Sequence, residues 1–431
     1  MPIKELHDLF IKHPGISTDS RQIGKNTLFF ALKGDNFNGN AYAASALEKG
    51  AASAVIDEAD FKISDRSILV DQVLSTLQQL ARFHRLQLNI PIIAVTGTNG
   101  KTTTKELITA VLAKKYKVTA TKGNLNNHIG VPLTLLSMDP TTQIGVVEMG
   151  ANHPGEIAAL CEIAQPDFGL ITNVGKAHLE GFGSFEGVKK TKGELYQFIG
   201  RRDGKIFLNT ANVHLREMAS GLDTVGYKTC REGYGIEGEI VSGSPMLVFK
   251  VKFPKGWRYV KTRLVGEYNL ENAMAAVCIG HYFNVSPAEI CDALETYEPS
   301  NNRSQFIKTT GNQLLMDAYN ANPTSMNAAL ESFEAFESPL RKAVILGDMF
   351  ELGEVAQEEH QRIAEKLQSM NLSMVILTGK EFSKCLVPAD YMVFEENESL
   401  IRHLEKINPQ GYLFLIKGSR GMKLEEVAGR L

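Results

Sequence analysis

From residue 89 onward the chain repeats one pattern: a short apolar run ending in glycine, aspartate or asparagine, then a stretch with helical spacing of apolar residues. "PIIAVTG" runs into "KTTTKELITAVLAKKY", "IGVVEMG" into "GEIAALCEIA", and "FGLITNVG" through a loop into "GVKKTKGELYQFI". "NQLLMDAYN", "KAVILGD", "SMVILTG" and "GYLFLIKGS" repeat it near the C-terminus. Such alternation predicts mostly parallel sheets with helices on both faces. Ligands of such sheets bind at the polar loops that leave the strand ends. "MLVFKVKFPKGWRYVKTRL" departs from the pattern and reads as an antiparallel hairpin across a Pro-Lys-Gly turn.

The expected fold class is α/β, in three domains. Residues 1–88 form a small N-terminal α/β domain, 89–299 a central P-loop-type domain with a mostly parallel sheet, and 300–431 a C-terminal Rossmann-like domain. The first boundary follows the periodic helix "LSTLQQLARFHRLQL", which ends near Asn89 ahead of Pro91. A hydrophobic content of 43% suits several packed cores in 431 residues, and a net charge of −3 gives no basic excess for nucleic acid or anionic lipid. Five scattered cysteines, Cys161, Cys230, Cys278, Cys291 and Cys385, with no CxxC pair, read as buried thiols of a reducing compartment. The acidic start "MPIKELHDLF" lacks the basic and long apolar segments of a signal peptide, and no window is apolar enough for a membrane helix. The expectation is therefore a cytoplasmic monomer that acts on small molecules, with no nucleic-acid partner and no membrane insertion.

The stretch "AVTGTNGKTTTKEL" carries the most chemistry. A strand, a glycine turn, a lysine and a helix start make a phosphate-binding loop, although Gly97 and Gly100 enclose only Thr98 and Asn99 where the usual pattern has four residues. Free N–H groups at the helix start attract phosphate, Lys101 would bridge outer phosphates, and Thr102, followed by Thr103, is the natural Mg²⁺ ligand. The plain structural alternative is a glycine turn with a surface lysine. Glu148 ends an apolar strand and suits a metal carboxylate, or is a strand-end charge meeting solvent. Asn152, His153 and Glu156 are expected to cap and open the next helix. His178 follows another strand end and is either a ligand or a loop histidine. Lys192, in the basic run with Lys189 and Lys190, reads from sequence alone as a solvated lysine. Arg303 and Asp317 come from the third region, with Asn320 and Asn322 in a polar loop behind them, where an arginine could neutralise phosphate.

Taken together, "TGTNGKTTTKE", "GNLNNHIGVPLTLL", "EMGANHPGEI", "ITNVGKAHLEGFGS", "GEYNLENAMAA", "DAYNANPTSM", "LGDMFELG" and "KGSRGMKLEE" resemble the Mur ligases, over nearly the whole chain and in the same order. The first-domain stretch "STDSRQIGKNTLFFALKGDNFNGNAYAASALEKGA" fits as well. Within the family the likeness is to the members that join D-alanyl-D-alanine to UDP-N-acetylmuramoyl-tripeptide in peptidoglycan precursor synthesis. The resemblance implies a real phosphate loop holding ATP and Mg²⁺. It implies that Gly97 to Thr103 and Glu148 bind nucleotide and metal, that His178 serves a second metal ion, and that Lys192 is carbamylated beside these cations. It further implies Asn269 and Asn272 near adenine, Arg303 and Asp317 as third-domain nucleotide contacts, Thr18, Ser20 and Arg21 in a uridine-diphosphate region, and Asn124, Asn126 and Asn127 facing the muramoyl-peptide. The main rival is the ligase that adds the third amino acid, but its Asp-Asn-Pro-Arg-type run is absent. Folylpolyglutamate synthase lacks the first domain. A nucleotide-binding switch without ligase chemistry is the rival from another class.

Overall fold

In the computed structural model, which describes residues 1–176, 179–228, 236–244, 246–299 and 303–431, the chain folds around sheets of four, nine and six strands and one small ribbon. The first sheet is all parallel, in the order β1 (Gly15–Ser17), β2 (Thr27–Phe30), β5 (Ser53–Ile56), β6 (Ser67–Leu69). The ribbon pairs β3 (Lys33–Gly34) with β4 (Phe37–Asn38). Helices α1 (Ile3–Lys12), α2 (Ala43–Glu48) and α3 (Val73–Leu88) complete this unit. Helix α3 stops at Asn89, whose left-handed φ of 47° asparagine tolerates better than most residues.

The central sheet contains β7 (Ile92–Thr96), β8 (Val118–Ala120), β9 (Ile144–Glu148), β10 (Phe168–Ile171), β11 (Lys205–Asn209), β12 (Thr224–Lys228), β13 (Ile236–Ser242), β14 (Val248–Phe253) and β15 (Gly256–Lys261). Its order is β15-β14-β13-β12-β11-β10-β7-β9-β8, with only β13–β14 and β14–β15 antiparallel. Side chains of β7 alternate between two cores, as a strand covered on both faces requires. Ile92 and Ala94 enter one core and Ile93 and Val95 the other. On the Ile93 side lie α4 (Lys101–Leu112), α10 (Asn269–Tyr282) and α11 (Pro287–Thr296). On the Ile92 side lie α5 (Gly130–Leu136), α6 (Glu156–Ala164), α7 (Leu179–Phe182), α8 (Phe185–Gly200) and α9 (Val213–Met218). Leu77, Leu80 and Ala81 of α3, and Leu6 and Phe10 of α1, belong to that same core, so the N-terminal unit shares its interior with one face of the central sheet.

The third sheet runs β16 (Gln305–Lys308), β17 (Gln313–Asp317), β21 (Tyr412–Lys417), β18 (Arg341–Gly347), β19 (Met374–Thr378), β20 (Met392–Phe394), with only β16 antiparallel. Helices α12 (Pro323–Ala335), α13 (Ala356–Gln368), α14 (Asn397–Ile407) and α15 (Leu424–Ala428) cover it. Val344 and Leu346 of β18 face one core and Ala343 and Ile345 the other. The expected hairpin is β14–β15. The short strands β1, β3, β4, β6, β8, β12, β16 and β20 and the strand β13 are additions to the strands that the sequence pattern predicts. Cys161, Cys278, Cys291 and Cys385 are buried free thiols, while Cys230 lies outside the described residues. Among the described residues no helix is long and apolar enough to cross a membrane.

Candidate active site

Parallel pairing sets the ends of β7, β9 and β10 at one edge: Val95 pairs with Glu148, and Thr96 with Ile171. The loop after β7 can turn there only because two positions lack a side chain. Gly97 has φ 142°, and a Cβ on it would sit 2.0 Å from Thr172 Oγ1; Gly100 has φ 75°, and its Cβ would sit 2.4 Å from Asn272 Oδ1. The loop after β10 braces this turn. Asn173 accepts from Thr98 N through its carbonyl (3.0 Å) and from Asn99 N through its side chain (2.9 Å), and Thr172 Oγ1 donates to Asn99 O at 2.6 Å. Lys101 folds back over the turn, donating from Nζ to Gly97 O (2.8 Å) and Thr98 O (2.9 Å). Burial lowers its pKa, opposed by the Glu148 charge and reinforced by that of Arg303. Thr102 is buried behind it, and Thr103 is half-buried.

Glu148 is 1% exposed. Its Oε1 accepts from Asn126 Nδ2 at 2.8 Å, and its Oε2 is buried without a hydrogen-bond partner. An orphaned carboxylate oxygen in a cleft wall is costly unless something cationic meets it. That oxygen, beside Lys101 and Thr102, suits Mg²⁺, which takes one or two carboxylates plus phosphate oxygens rather than a full protein cage. No cluster of three or more His, Cys, Asp or Glu residues that could hold a metal occurs among the described residues.

Lys192, which the sequence alone presents as solvated, is 2% exposed. Its Nζ lies 3.4 Å from Ala151 O and 5.2 Å from the Phe182 ring centre, and burial, aided by the Lys101 charge, pushes its pKa down to about 7. His178 lies outside the described residues. Glu156 opens α6 as the sequence leads one to expect, but Asn152 and His153 do not cap it with their side chains. Glu156 accepts from Asn152 N (2.7 Å) and His153 N (3.0 Å), so those residues donate to it, while Glu194 of α8 caps Gly155 N and Ala158 N. A carboxylate satisfies helix-start N–H groups and their positive end better than a neutral side chain.

The loops meet the C-terminal domain across a cavity of 840 Å³, lined by Thr98–Thr103, Glu148, Asn269, Asn272, Arg303, Asp317 and Lys417 among others. Asn124, Asn126 and Asn127 line it too, Asn127 also capping α5 through Ile129 N and Gly130 N. Asn269 and Asn272 are engaged beneath the loop: Asn272 Oδ1 accepts from Thr104 Oγ1 at 2.9 Å and its Nδ2 donates to Asn269 Oδ1 at 2.8 Å. Asp317 pairs with buried Lys417 at 2.5 Å. The Arg303 guanidinium carbon lies 3.5 Å from the Tyr319 ring centre, with a buried Nε that has no partner. Thr18, Ser20 and Arg21 are not in this cavity's wall. Arg21 is exposed and pairs with Asp19 at 2.8 Å, holding that carboxyl down to about 2, and Ser20 O accepts from Lys49 Nζ. Sequence reasoning missed Asn173, Tyr319, Phe350, Lys417 and Arg420; their shared signal is the end of a buried strand, at Lys417, or the loop directly after one, at the others.

Fold and site define a three-domain α/β protein of the P-loop type, with a cleft between its central and C-terminal sheets. The family models for the Mur ligase family catalytic domain, the Mur ligase middle domain and the Mur ligase glutamate ligase domain match residues 13–91, 95–280 and 302–420. The UDP-N-acetylmuramoyl-tripeptide–D-alanyl-D-alanine ligase of Bacillus subtilis is 35% identical, covering 96% of this chain and 92% of its own. The crystal structure of MurF from Acinetobacter baumannii superposes with a TM-score of 0.85 at 30% identity, covering 98% of this chain and 97% of the other. That of a MurF ligase from Thermotoga maritima in complex with ADP gives 0.85 at 27% identity, with the same coverage. The chain belongs to the Mur ligase family.

Proposed function

We propose that the protein is an ATP-dependent amide ligase that joins D-alanyl-D-alanine to UDP-N-acetylmuramoyl-tripeptide, yielding the UDP-pentapeptide, ADP and phosphate in cytoplasmic peptidoglycan precursor synthesis. The observation that carries this reading is the cleft between central and C-terminal domains, in a chain that matches ligases of this name along nearly its full length. It holds a glycine phosphate loop, a lysine, a carboxylate with one unpartnered oxygen, and arginines from the opposite domain.

A carboxylate repels nucleophiles and has no leaving group. In the first step a tripeptide carboxylate oxygen bonds to the γ-phosphorus, the bond from that phosphorus to the bridging oxygen breaks, and ADP departs. In the second the dipeptide amine bonds to the acyl carbon, the acyl–oxygen bond breaks, phosphate leaves and the nitrogen loses a proton. Negative charge builds in both steps, so preorganised cations lower both barriers. Gly97, Thr98 and Asn99 shape the turn, Gly100 opens the helix start whose N–H groups meet phosphate, Lys101 faces the outer phosphates, and Thr102 and Thr103 continue the helix behind them. Glu148 and Thr102 would hold Mg²⁺, which supplies positive charge against the phosphates. His178 and a carbamylated Lys192 belong to this metal region in the same reading. Carbamylation joins the neutral amine to CO₂ with loss of a proton and replaces a cation by an anion. Asn269 and Asn272 fix the loop from beneath and border the adenine side. Arg303 and Asp317 meet the nucleotide from the C-terminal domain. Asn124, Asn126 and Asn127 face the muramoyl-peptide, and Thr18, Ser20 and Arg21 hold the uridine diphosphate.

The test is phosphate release from ATP with UDP-N-acetylmuramoyl-tripeptide and D-alanyl-D-alanine supplied singly and together, products weighed by mass spectrometry. Release that needs both, with a UDP-pentapeptide product, is expected. Product from the UDP-dipeptide and a free amino acid would reassign the chain to the preceding ligase. Nucleotide binding with no product from either set would leave a switch protein.

A further inference from the structure

Arg303 enters the cleft just ahead of β16, and one backbone bend decides where it points. Ser304, between the two, has a φ of 47°, in the left-handed region that serine rarely occupies. With β16 fixed in its sheet, rotation about the Ser304 N–Cα bond swings everything before it, Arg303 included. Two hydrogen bonds hold the bend. Ser304 N donates to Asp317 Oδ1 at 3.3 Å, and the hydroxyls of Ser304 and Tyr268 are hydrogen-bonded at 2.8 Å. The first bond stays inside the C-terminal domain, where Asp317 also pairs with Lys417. The second crosses to the central domain.

Tyr268 is in turn tied to the phosphate loop. It is the N-cap residue of α10, whose first turn carries the Asn269 and Asn272 pair that braces the loop from beneath. Gly266 has φ 92°, and a Cβ on it would lie 2.4 Å from Tyr268 Cε1, so the missing side chain leaves the space in which the ring stands. Burial, aided by the Asp317 charge, raises the Tyr268 pKa, and the hydroxyl keeps its proton at neutral pH. At the other end, the Arg303 guanidinium carbon lies 3.5 Å from the centre of the Tyr319 ring, and Arg420 Nη1 holds that ring by donating to Tyr319 Oη at 2.9 Å. The Arg303 charge reaches the loop, where it acts against the proton on Lys101. Phosphate loop, α10, Tyr268, Ser304 and Arg303 thus form one continuous line of contacts from the central domain into the C-terminal one.

We propose that Tyr268 is a positioning residue for the ligation reaction: its hydroxyl, through Ser304, fixes the bend from which Arg303 meets the phosphates and so aligns that cation with the phosphate loop. This rests on the ligase reading above and adds to it the residue that brings the charges of the two domains into line. A cation lowers a phosphoryl-transfer barrier most when it already stands where negative charge develops, and one free to swing loses part of that effect to being ordered. Removing the Tyr268 hydroxyl therefore acts on the rate more than on nucleotide binding.

The test measures phosphate release from ATP, with UDP-N-acetylmuramoyl-tripeptide and D-alanyl-D-alanine saturating, in the full-length enzyme and its Tyr268→Phe, Ser304→Ala and Arg303→Ala variants, and in the Tyr268→Phe, Arg303→Ala double variant. Tyr268→Phe keeps the ring and is expected to lower kcat about ten-fold, the scale of one lost hydrogen bond, with the KM for ATP and the affinity for ADP within about two-fold of wild type. Ser304→Ala is expected to match it. Adding Tyr268→Phe to Arg303→Ala is expected to cost nothing further, because the side chain it positions is gone. A tyrosine that only supports the fold would instead add its loss to that of Arg303→Ala. A kcat for Tyr268→Phe within about two-fold of wild type, or a double variant slower than Arg303→Ala by the whole Tyr268→Phe factor, overturns the proposal while leaving the ligase standing. Should Tyr268→Phe fail to fold, Ser304→Ala, alone and combined with Arg303→Ala, decides by the same comparison. A wild type that forms no product from the complete substrate set removes the ligase reading, and this role with it.

Discussion

Asn322 donates from Nδ2 to Asn99 Oδ1 at 2.8 Å, so the N-cap of α12 in the C-terminal domain is joined directly to the phosphate loop of the central one. The same side chain caps its helix through Ser325 N at 2.9 Å. Asn322→Ala should lose both contacts: about 1 kcal/mol of stability from the cap, and about five-fold in ADP affinity from the inter-domain bond. Asn99→Ala should lose only the second. Thermal unfolding and ADP titration of the two variants check the split.

Glu148→Gln separates stability from function. Glutamine keeps an acceptor for Asn126 Nδ2 and removes a buried charge whose Oε2 has no hydrogen-bond partner, so the unliganded variant should be about as stable as wild type. It should lose most of the stabilisation that saturating Mg²⁺–ADP gives, about 2.7 kcal/mol when nucleotide is 100-fold above Kd. Melting curves with and without Mg²⁺–ADP read both effects.

Lys192→Ala should cut ligation by about 100-fold, the scale of losses around metal centres, and formate or acetate should restore part of it. Rates with increasing formate test this. Full activity without added carboxylate would remove Lys192 from the metal region.

Stability should fall below neutral pH through a histidine pair that binds no substrate. His84 Nε2 donates to Met138 O at 2.8 Å, leaving Nδ1 to accept from His7 Nε2 at 3.0 Å. Burial lowers both pKa values from 6.5, with the His84 charge adding to the effect on His7, Asp8 opposing there, and the Met138 bond opposing at His84. The folded state thus stays neutral where the unfolded chain takes up protons. Stability is fully present above 6.5, declines as pH drops through it, and the loss is complete only below the lowered folded values. Melting temperatures from pH 8 to 5 should show this decline, and a His7→Phe, His84→Gln double variant a shallower one.

The strand–loop–helix rhythm, the glycine loop and the strand-end position of Glu148 are written locally, so the sequence alone makes them legible. β8, β12, β16 and β20 lack the longer apolar run that marks strands such as β7 and β9 in the sequence, and exist because neighbours pair with them. Lys192 stands in a basic run that reads as surface; only the packing of α8 against α6 and the sheet buries it. The residues next to α6 suggest a local cap, yet Glu194 reaches that helix start from 39 positions away. Arg420 and Tyr319 lie 101 residues apart, and no local pattern couples them.

The shared interior of the N-terminal unit and the central sheet bears on how the molecule comes apart. Leu6, Phe10, Leu77 and Leu80 line the same interior as Ile92 and Ala94, whereas Val344 and Leu346 of β18 belong to a separate one. Cutting the chain after residue 88 would therefore strip a wall from the central sheet and leave a sticky fragment. A cut after residue 299 removes a part whose interior takes only Val265 of the central region among its buried residues. Calorimetry should record two endotherms, one for the first two units melting together and one for the last. During synthesis the ribosome releases the two halves of that first block in succession, and the wall they share can close only once both have emerged.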